Sequence, residues 1–221
     1  MQVRRIREII MIWHYMYGIY KTSRDKVLGA LINKQMVKTI ILALGAMSFE
    51  SKQEKEKLDI FVDAFRKTGM RAIIQGFNKT LTEYQLPKTM ISVGSVPHSW
   101  LFRQGYCVIH HCGFGTSASS LLYGIPTISV PHVLDQFAFA DQLYKLKVSV
   151  KPIKANELSE EKLISAINEI KANYSEMHDR VGDLAKKMQM SEIRKATIGN
   201  KLNPVESGFF DYYWSFYFFE L

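Results

Sequence analysis

A histidine-rich, glycine-spaced stretch near the middle of the chain holds residue types that could bind an anion. The sequence His110 to Cys112 follows a short apolar run, and Gly113 and Gly115 then precede Thr116. This pattern predicts a strand, a glycine turn and a helix that opens on Thr116. Such a turn points several backbone N–H groups at one spot, and the helix dipole adds about half a positive charge there. The expected ligand is an anion such as a phosphate.

His111 is the side chain in this stretch that we expect to contact the ligand. An imidazole can donate to a diphosphate oxygen, and its ordinary pKa of about 6.5 lets an anion raise it into the charged form. The alternative is a satisfied histidine at the end of a strand. Its neighbour His110 should point the other way and pack, because successive side chains on a strand alternate.

A second polar pair, Asp135 and Gln136, follows another short apolar run at 127–130. Side chains that offer both donors and acceptors can read the hydroxyls of a sugar. The alternative interpretation is structural: Asp135 could simply cap a helix that runs to about Lys145.

The elements that must position these residues are short apolar runs that alternate with helical patterns. Strands are predicted over 38–44, Arg71–Gln75, 89–93, 107–109, 127–130 and 148–153. Helices are predicted from 50 to 69, after 116, from 135 to 145, and over 159–170 and 174–198. This alternation favours an α/β fold with a parallel sheet covered by helices on both faces, and ligands then bind at the carboxyl ends of the strands.

The same residues resemble a known family. The sequences at 110–116 (His-His-Cys-Gly-Phe-Gly-Thr), 124–126 (Gly-Ile-Pro) and 135–136 are similar to the donor-sugar signature of family 1 glycosyltransferases. With Val-Pro-His-Ser-Trp-Leu-Phe at 96–102, the chain is most similar to the sterol glucosyltransferase type. The resemblance covers 39–170 and implies a Rossmann-like domain, the C-terminal half of a GT-B glycosyltransferase.

The resemblance assigns roles to individual residues. It implies that His111 contacts the diphosphate, that Gly115 and Thr116 bind the α-phosphate, and that Val96 and His98 hold the uracil and the ribose. An alternative for His98 is a helix cap after Pro97. The whole implied donor-binding set is Gly45, Val96, His98, His111, Gly113, Gly115, Thr116, Ser119, Asp135 and Gln136.

The chain departs from the relatives' wording at three places. Ala46 stands where they have a phosphate-side serine, Ser95 where plant members have an aromatic residue, and Lys147 and Ser149 where they have glycines. These departures leave two functions open. One is the donor half of a UDP-hexose-dependent transferase, and the other is a non-catalytic nucleotide-sugar-binding module or a regulatory partner of a separate acceptor subunit.

The implied reaction is metal-free, inverting transfer of a hexose from UDP to a hydroxyl of a lipid or other small acceptor, such as a sterol, without a cofactor. The expected partners are the UDP-sugar, that acceptor and an acceptor-domain subunit. The catalytic base is expected on this N-terminal acceptor domain, so no catalytic residue is assigned to this chain. A general base typically contributes about 10²- to 10⁴-fold, so alone this half should bind the donor and turn over poorly.

Composition narrows the partners further. The 221-residue chain has 29 Lys and Arg against 21 Asp and Glu, a net charge of +8. This suits a phosphate-bearing ligand, but no RNP-like pair of aromatic strands or helix with clustered arginines supports nucleic-acid binding. Two cysteines make no disulfide framework or C-x-x-C metal pair, which fits a cytoplasmic protein.

We divide the chain into a helical leader (1–35), the nucleotide-sugar donor-binding domain (36–200) and an aromatic C-terminal tail (201–221). No run of eighteen apolar residues occurs, which predicts no spanning helix. The leader and the tail are both rich in apolar and aromatic residues, so we expect them to meet an acceptor domain or the surface of a membrane.

Overall fold

Five short apolar runs form the parallel sheet that the alternating pattern predicts. The computed structural model describes residues 38–44, 51–77, 79–94 and 96–199. The strands are β1 (Thr39–Ala43), β2 (Arg71–Gln75), β3 (Met90–Val93), β4 (Cys107–His110) and β5 (Thr127–Ser129). They lie in the order β3-β2-β1-β4-β5, and every neighbouring pair is parallel. The predicted α/β class is therefore confirmed.

Helices connect the strands. They are α1 (Ser51–Lys67), α2 (His98–Leu101), α3 (Phe114–Leu122), α4 (Asp135–Lys145) and α5 (Glu160–Gly199). Short 3-10 turns occur at Thr80–Thr82, Phe102–Gln104 and Ala155–Glu157. The start of α5 follows the sequence prediction, because the N–H of Lys162 donates to Oγ of Ser159 at 3.3 Å.

The two helices predicted over 159–170 and 174–198 meet at a kink inside α5. Asn173 has non-helical angles there (φ −110°, ψ 15°), and its side-chain amide donates to the carbonyl of Glu169 at 3.1 Å. The predicted boundary between the two helices therefore coincides with the kink.

The sheet is buried on both faces, because successive side chains of each strand point to opposite sides. Ile40 and Leu42 of β1 face one layer, and Ile41 and Ala43 face the other. The first layer contains α1 and the first part of α5, packed through Leu58, Phe61, Phe65, Leu163, Ile167 and Ile170. The second contains α2 and the turn after α3, packed through Leu101, Phe102 and Ile125. Helical cover on both faces is thus confirmed.

The sixth strand predicted at 148–153 is absent, and that prediction was wrong. The segment makes one isolated parallel bridge, between Thr127 and Ser149. Pro152 has no N–H to give to a ladder. The hydroxyl of Ser149 contacts that of Ser129 at 3.1 Å and donates to the carbonyl of Val150, so this segment is held to β5 largely by local contacts. Val148, Val150 and Ile153 are still buried, so the apolar pattern reported burial correctly.

The sheet topology sets the place of the site. Strand order reverses between β1 and β4, which lead out to opposite sides of the sheet. Ligands of open parallel sheets bind outside the carboxyl ends of the strands at such a switch point. Here that point lies between the end of β1 at Ala43 and the end of β4 at His110.

Several sequence predictions fall on residues outside the described ranges. They are the leader (1–35), the tail (201–221), Gly45, Ala46 and Ser95. Within the part of the chain that is described, no helix is both long and apolar enough to cross a membrane.

Candidate functional site

The turn between β4 and α3 is the centre of the candidate site. Cys112 takes a positive φ of 62°, Gly113 stands at the N-cap position with extended angles, and α3 begins at Phe114. The helix therefore opens two residues before the predicted Thr116, which is already buried in its first turn. No side chain caps this end of α3. The N–H groups at the positive end of the helix dipole therefore have no side-chain oxygen as a partner.

His111 lies at the mouth of this turn and is buried, with 9% of its surface exposed. Its Nδ1 is buried and has no hydrogen-bond partner among the described residues. Its Nε2 sits where a side chain on Gly113 would have to be, so the glycine is required by the packing of the ring. An unsatisfied buried ring nitrogen is costly unless something binds it, and a ligand oxygen is the kind of partner it lacks.

His110 is fully buried and packs, as predicted. Its Nδ1 accepts the N–H of Cys112 at 3.0 Å, which helps to hold the positive φ of the turn. Burial, reinforced by the nearby His111 and His98, lowers the pKa of His110 to about 3. His110 is therefore a neutral structural residue at physiological pH.

The histidines at the carboxyl edge of the sheet influence one another. Burial lowers the pKa of His111, the positive charge of His98 lowers it further, and the carboxylate of Asp135 opposes both effects. Burial and then the charges of His111 and Lys57 lower the pKa of His132 to about 4. The free site thus keeps neutral imidazoles that an incoming anion would draw toward the charged form.

The loop after β3, which is expected to hold the uracil of the donor, is held in place by a contact with the sheet. Val96 is buried, and its carbonyl accepts from Nε2 of Gln75, at the end of β2, at 3.3 Å. Pro97 takes the N-cap position of α2 without a side-chain cap bond, so His98 is not the cap that the alternative supposed. The ring of His98 instead stacks on Phe102, with centroids 4.4 Å apart. Leu101 and Phe102 are core residues.

The predicted sugar pair stands at the start of α4. Leu134 is the N-cap residue and no side chain caps the helix, so the capping alternative for Asp135 is wrong. Asp135 is exposed, whereas Gln136 is 6% exposed. Oε1 of Gln136 accepts the N–H groups of His132 at 2.8 Å and of Val133 at 3.3 Å. Gln136 thus ties down the loop in addition to any contact that its amide nitrogen makes with a ligand.

Comparison with known proteins identifies the family of this chain. Residues 71–195 match the family described as erythromycin biosynthesis protein CIII-like, C-terminal domain. That match spans more than half of the chain. The chain belongs to this EryCIII-like family.

Curated relatives of the EryCIII-like chain include sterol 3-beta-glucosyltransferases. One from Saccharomyces cerevisiae (strain YJM789) is 30% identical over 176 residues, which are 75% of this chain and 14% of the relative. One from Arabidopsis thaliana is 34% identical over 132 residues, 58% of this chain and 21% of the relative. The chain therefore spans about a fifth or less of the length of these relatives.

Solved structures share the fold. The glycotransferase of kitacinnamycin aligns with a TM-score of 0.63 at 19% identity, over 77% of this chain and 45% of its own. Os79 from O. sativa, in complex with UDP and deoxynivalenol-3-glucoside, aligns with a TM-score of 0.63 at 16% identity, over 72% and 39%. The fold is that of the C-terminal Rossmann-like half of GT-B glycosyltransferases.

The EryCIII-like domain brings much of the predicted donor set to one edge. His111, Gly113, Gly115 and Thr116 share the β4–α3 turn. His98 and Asp135 begin the helices that follow β3 and β5, so the loop expected to bind uracil and the sugar pair lie at the same carboxyl edge of the sheet. Gly45 lies outside the described residues. The hydroxyl of Ser119 is already bonded to the carbonyl of Gly115 at 2.7 Å, within α3.

Two residues of the site were missed by sequence reasoning. His132 lies three residues after the end of β5, so the rule that strand ends carry ligand groups could have singled it out. Gln75 ends β2, and its side chain donates to the carbonyl of Val96 in the loop expected to bind uracil. Only the pairing of β2 with β3 reveals this role. Among the described residues, no group of three His, Cys, Asp or Glu side chains could hold a metal ion.

Proposed function

We propose that this EryCIII-like domain binds the UDP-hexose donor of an inverting glycosyltransferase that acts on a hydroxyl of a small apolar acceptor such as a sterol. The names of the relatives support the acceptor class, since they are sterol 3-beta-glucosyltransferases. Neighbouring folds solved with UDP or dTDP support a nucleoside-diphosphate donor.

The observation that carries the proposal is the buried, unsatisfied Nδ1 of His111, whose ring packs on Gly113 at the uncapped start of α3. A diphosphate supplies the two things that this place lacks: an acceptor for the ring nitrogen and negative charge for the helix end. Charge-assisted contacts of this kind are about twice as strong as neutral ones. In this proposal the carboxylate of Asp135, which is exposed, accepts hydrogen bonds from hydroxyls of the attached sugar.

In the proposed reaction the acceptor oxygen forms a bond to the anomeric carbon while the bond from that carbon to the β-phosphate oxygen breaks. UDP leaves as the anion, and the hydroxyl proton passes to a base on the acceptor domain. His111 and the helix end stabilise the negative charge that develops on the diphosphate, without a metal or a cofactor. A cytoplasmic position, with peripheral contact to the membrane that holds a sterol, fits this role.

A second candidate is a non-catalytic nucleotide-sugar-binding module. The segment after α4 favours it, because Lys147 adopts φ 56° at a position where the resembling family writes glycine. Both candidates require donor binding and differ only in turnover.

Calorimetry with UDP and UDP-glucose tests donor binding, with His111→Gln as the probe variant. The matched control is His178→Gln, because that histidine is exposed on α5. Loss of UDP affinity in the first variant and not in the second is expected. Undiminished affinity in His111→Gln would sink the proposal.

Turnover separates the two candidates. The chain is mixed with a separately produced acceptor domain, UDP-glucose and a sterol, and the sterol glucoside is measured by mass spectrometry. Product formation that depends on His111 identifies the transferase. Donor binding with no product identifies the module.

A further inference from the structure

The segment that leads into α4 carries apolar side chains that face solvent. Leu134 is 86% exposed, and Val133 and Phe137 are 44% and 40% exposed. We call these three residues the Leu134 surface. Single exposed apolar residues are ordinary on proteins, but these fall within five consecutive positions around Asp135.

Leu134 holds this exposed position in a strained backbone conformation. Its angles are φ 46° and ψ −120°, a region that residues with a side chain rarely enter and that glycine enters at little cost. Strained conformations persist where the surrounding structure fixes them, and they cluster at functional sites. The exposed leucine side chain gains little burial within the domain that could offset this strain.

The loop is fixed from both sides, so the Leu134 surface is held in place. Gln136 accepts the N–H groups of His132 and Val133 through one side-chain oxygen. The carbonyl of Pro131, before these residues, accepts the N–H of Ala155 at 3.0 Å. These contacts determine the direction in which the three apolar side chains project.

We propose that the Leu134 surface contacts the apolar body of the acceptor and contributes to the selection of an apolar alcohol such as a sterol. The inference rests on the proposed function. A hydroxyl that attacks the sugar has to approach the group held beside Asp135, so the hydrocarbon attached to that hydroxyl lies against the neighbours of Asp135. An apolar surface at this place removes hydrocarbon from water, whereas a polar acceptor would gain nothing from it.

Photo-crosslinking tests the proposal on the full 221-residue chain. The probe is a sterol that carries a diazirine on its ring system, irradiated in the presence of UDP, and labelled peptides are mapped by mass spectrometry. Label is expected on residues 133–137 and should be competed away by unlabelled sterol. Leu134→Gly should reduce it at least about tenfold, the range expected when a buried leucine contact is lost.

Three controls make the outcome specific. Met190→Ala removes another strongly exposed apolar side chain, on α5, and should leave labelling unchanged. UDP affinity, measured by calorimetry, should stay within about twofold in Leu134→Gly, so a failure of donor binding is seen separately. The thermal unfolding midpoint of Leu134→Gly should rise, because glycine relieves the strain at this position. A rise also shows that the variant is folded.

The proposal would be overturned by label that is absent, that falls on other residues, or that persists in Leu134→Gly. Intact UDP binding in the same experiment would leave the proposed function standing. A second copy of the chain is the competing occupant. Light scattering that shows a dimer dispersed by Leu134→Gly, without sterol labelling, would assign the surface to self-association and would also overturn the proposal.

Discussion

The imidazole of His111 occupies the space above Gly113 that any larger residue at position 113 would need. The angles of Gly113 are open to every residue type, so backbone freedom is not the reason for the glycine. The small residue and the buried ring instead form one unit, and the orientation of the proposed phosphate ligand depends on both.

Substituting Gly113 by alanine should therefore weaken donor binding through His111. The added methyl group displaces the ring from the turn, and loss of a charge-assisted contact costs about 1 to 3 kcal/mol of binding free energy. Titration calorimetry with UDP measures the change. Gly182→Ala is the control, because a methyl group there meets nothing within 4 Å. Equal UDP affinity in both variants would show that the ring position does not matter.

Donor binding should be coupled to the uptake of a proton by His111. Burial lowers the pKa of His111 in the free chain, and a diphosphate beside the ring raises it, so the complex holds the proton more tightly. Calorimetric enthalpies measured in buffers with different ionisation enthalpies report the number of protons taken up. His111→Gln should abolish the uptake. A buffer-independent enthalpy in the unmodified chain would place the diphosphate away from His111.

Stability should fall below neutral pH because of His110. Its folded-state pKa of about 3 lies below its unfolded value of about 6.5, so its contribution is complete above pH 6.5 and is lost progressively as the pH falls toward 3. At pH 5 the unfolded chain binds the proton and the folded chain does not, which costs about 2 kcal/mol.

Urea unfolding at pH 7.5 and pH 5 measures this loss. His110→Asn keeps an oxygen that can accept the N–H of Cys112 but does not titrate, so the difference between the two pH values should shrink by about 2 kcal/mol. The exposed His178→Asn serves as the control. An unchanged difference in His110→Asn would assign the acid sensitivity to other groups.

Gln136 should separate sugar binding from loop stability. Gln136→Ala removes the acceptor of two backbone N–H groups, so we expect it to lower the free energy of unfolding by about 1 to 3 kcal/mol. Gln136→Glu keeps the accepting oxygen and removes the amide donor. It should retain most of the stability and lose affinity for UDP-glucose but not for UDP.

Thermal unfolding and calorimetry with both ligands distinguish these effects. Asp135→Asn is the companion variant, because Asp135 is exposed and does not cap α4. It should change UDP-glucose affinity with little effect on stability. If Gln136→Glu binds both ligands like the unmodified chain, Gln136 is a structural residue only.

The sequence predicts the sheet well because buried parallel strands are short continuous apolar runs. Arg71–Gln75 was placed at its observed bounds, and the bounds of the other four strands lie within one residue of the prediction. The segment at 148–153 misled the same reasoning, because burial of Val148 and Val150 also arises in a loop that packs against the sheet.

The site is less accessible to sequence reasoning, since its parts meet only through the topology. The motif at 110–116 indicated the anion turn, but the start of α3 at Phe114 depends on the extended backbone of Gly113. The hydrogen bond from Gln75 to Val96 joins residues 21 positions apart. The strain at Leu134 has no signature in the order of residue types, because leucine is among the last residues expected with a positive φ.

The bend at Asn173 divides α5 into two arms that pack against different parts of the domain. Before the bend, Leu163 and Ile167 cover the sheet; after it, Val181 packs with Cys112 and Leu121, and Gln189 donates to the last carbonyl of α3 at 3.1 Å. On a ribosome, all five strands emerge before this second arm. The nascent sheet can thus form early, while the turn that carries His111 gains its backing only after Gln189 has left the exit tunnel.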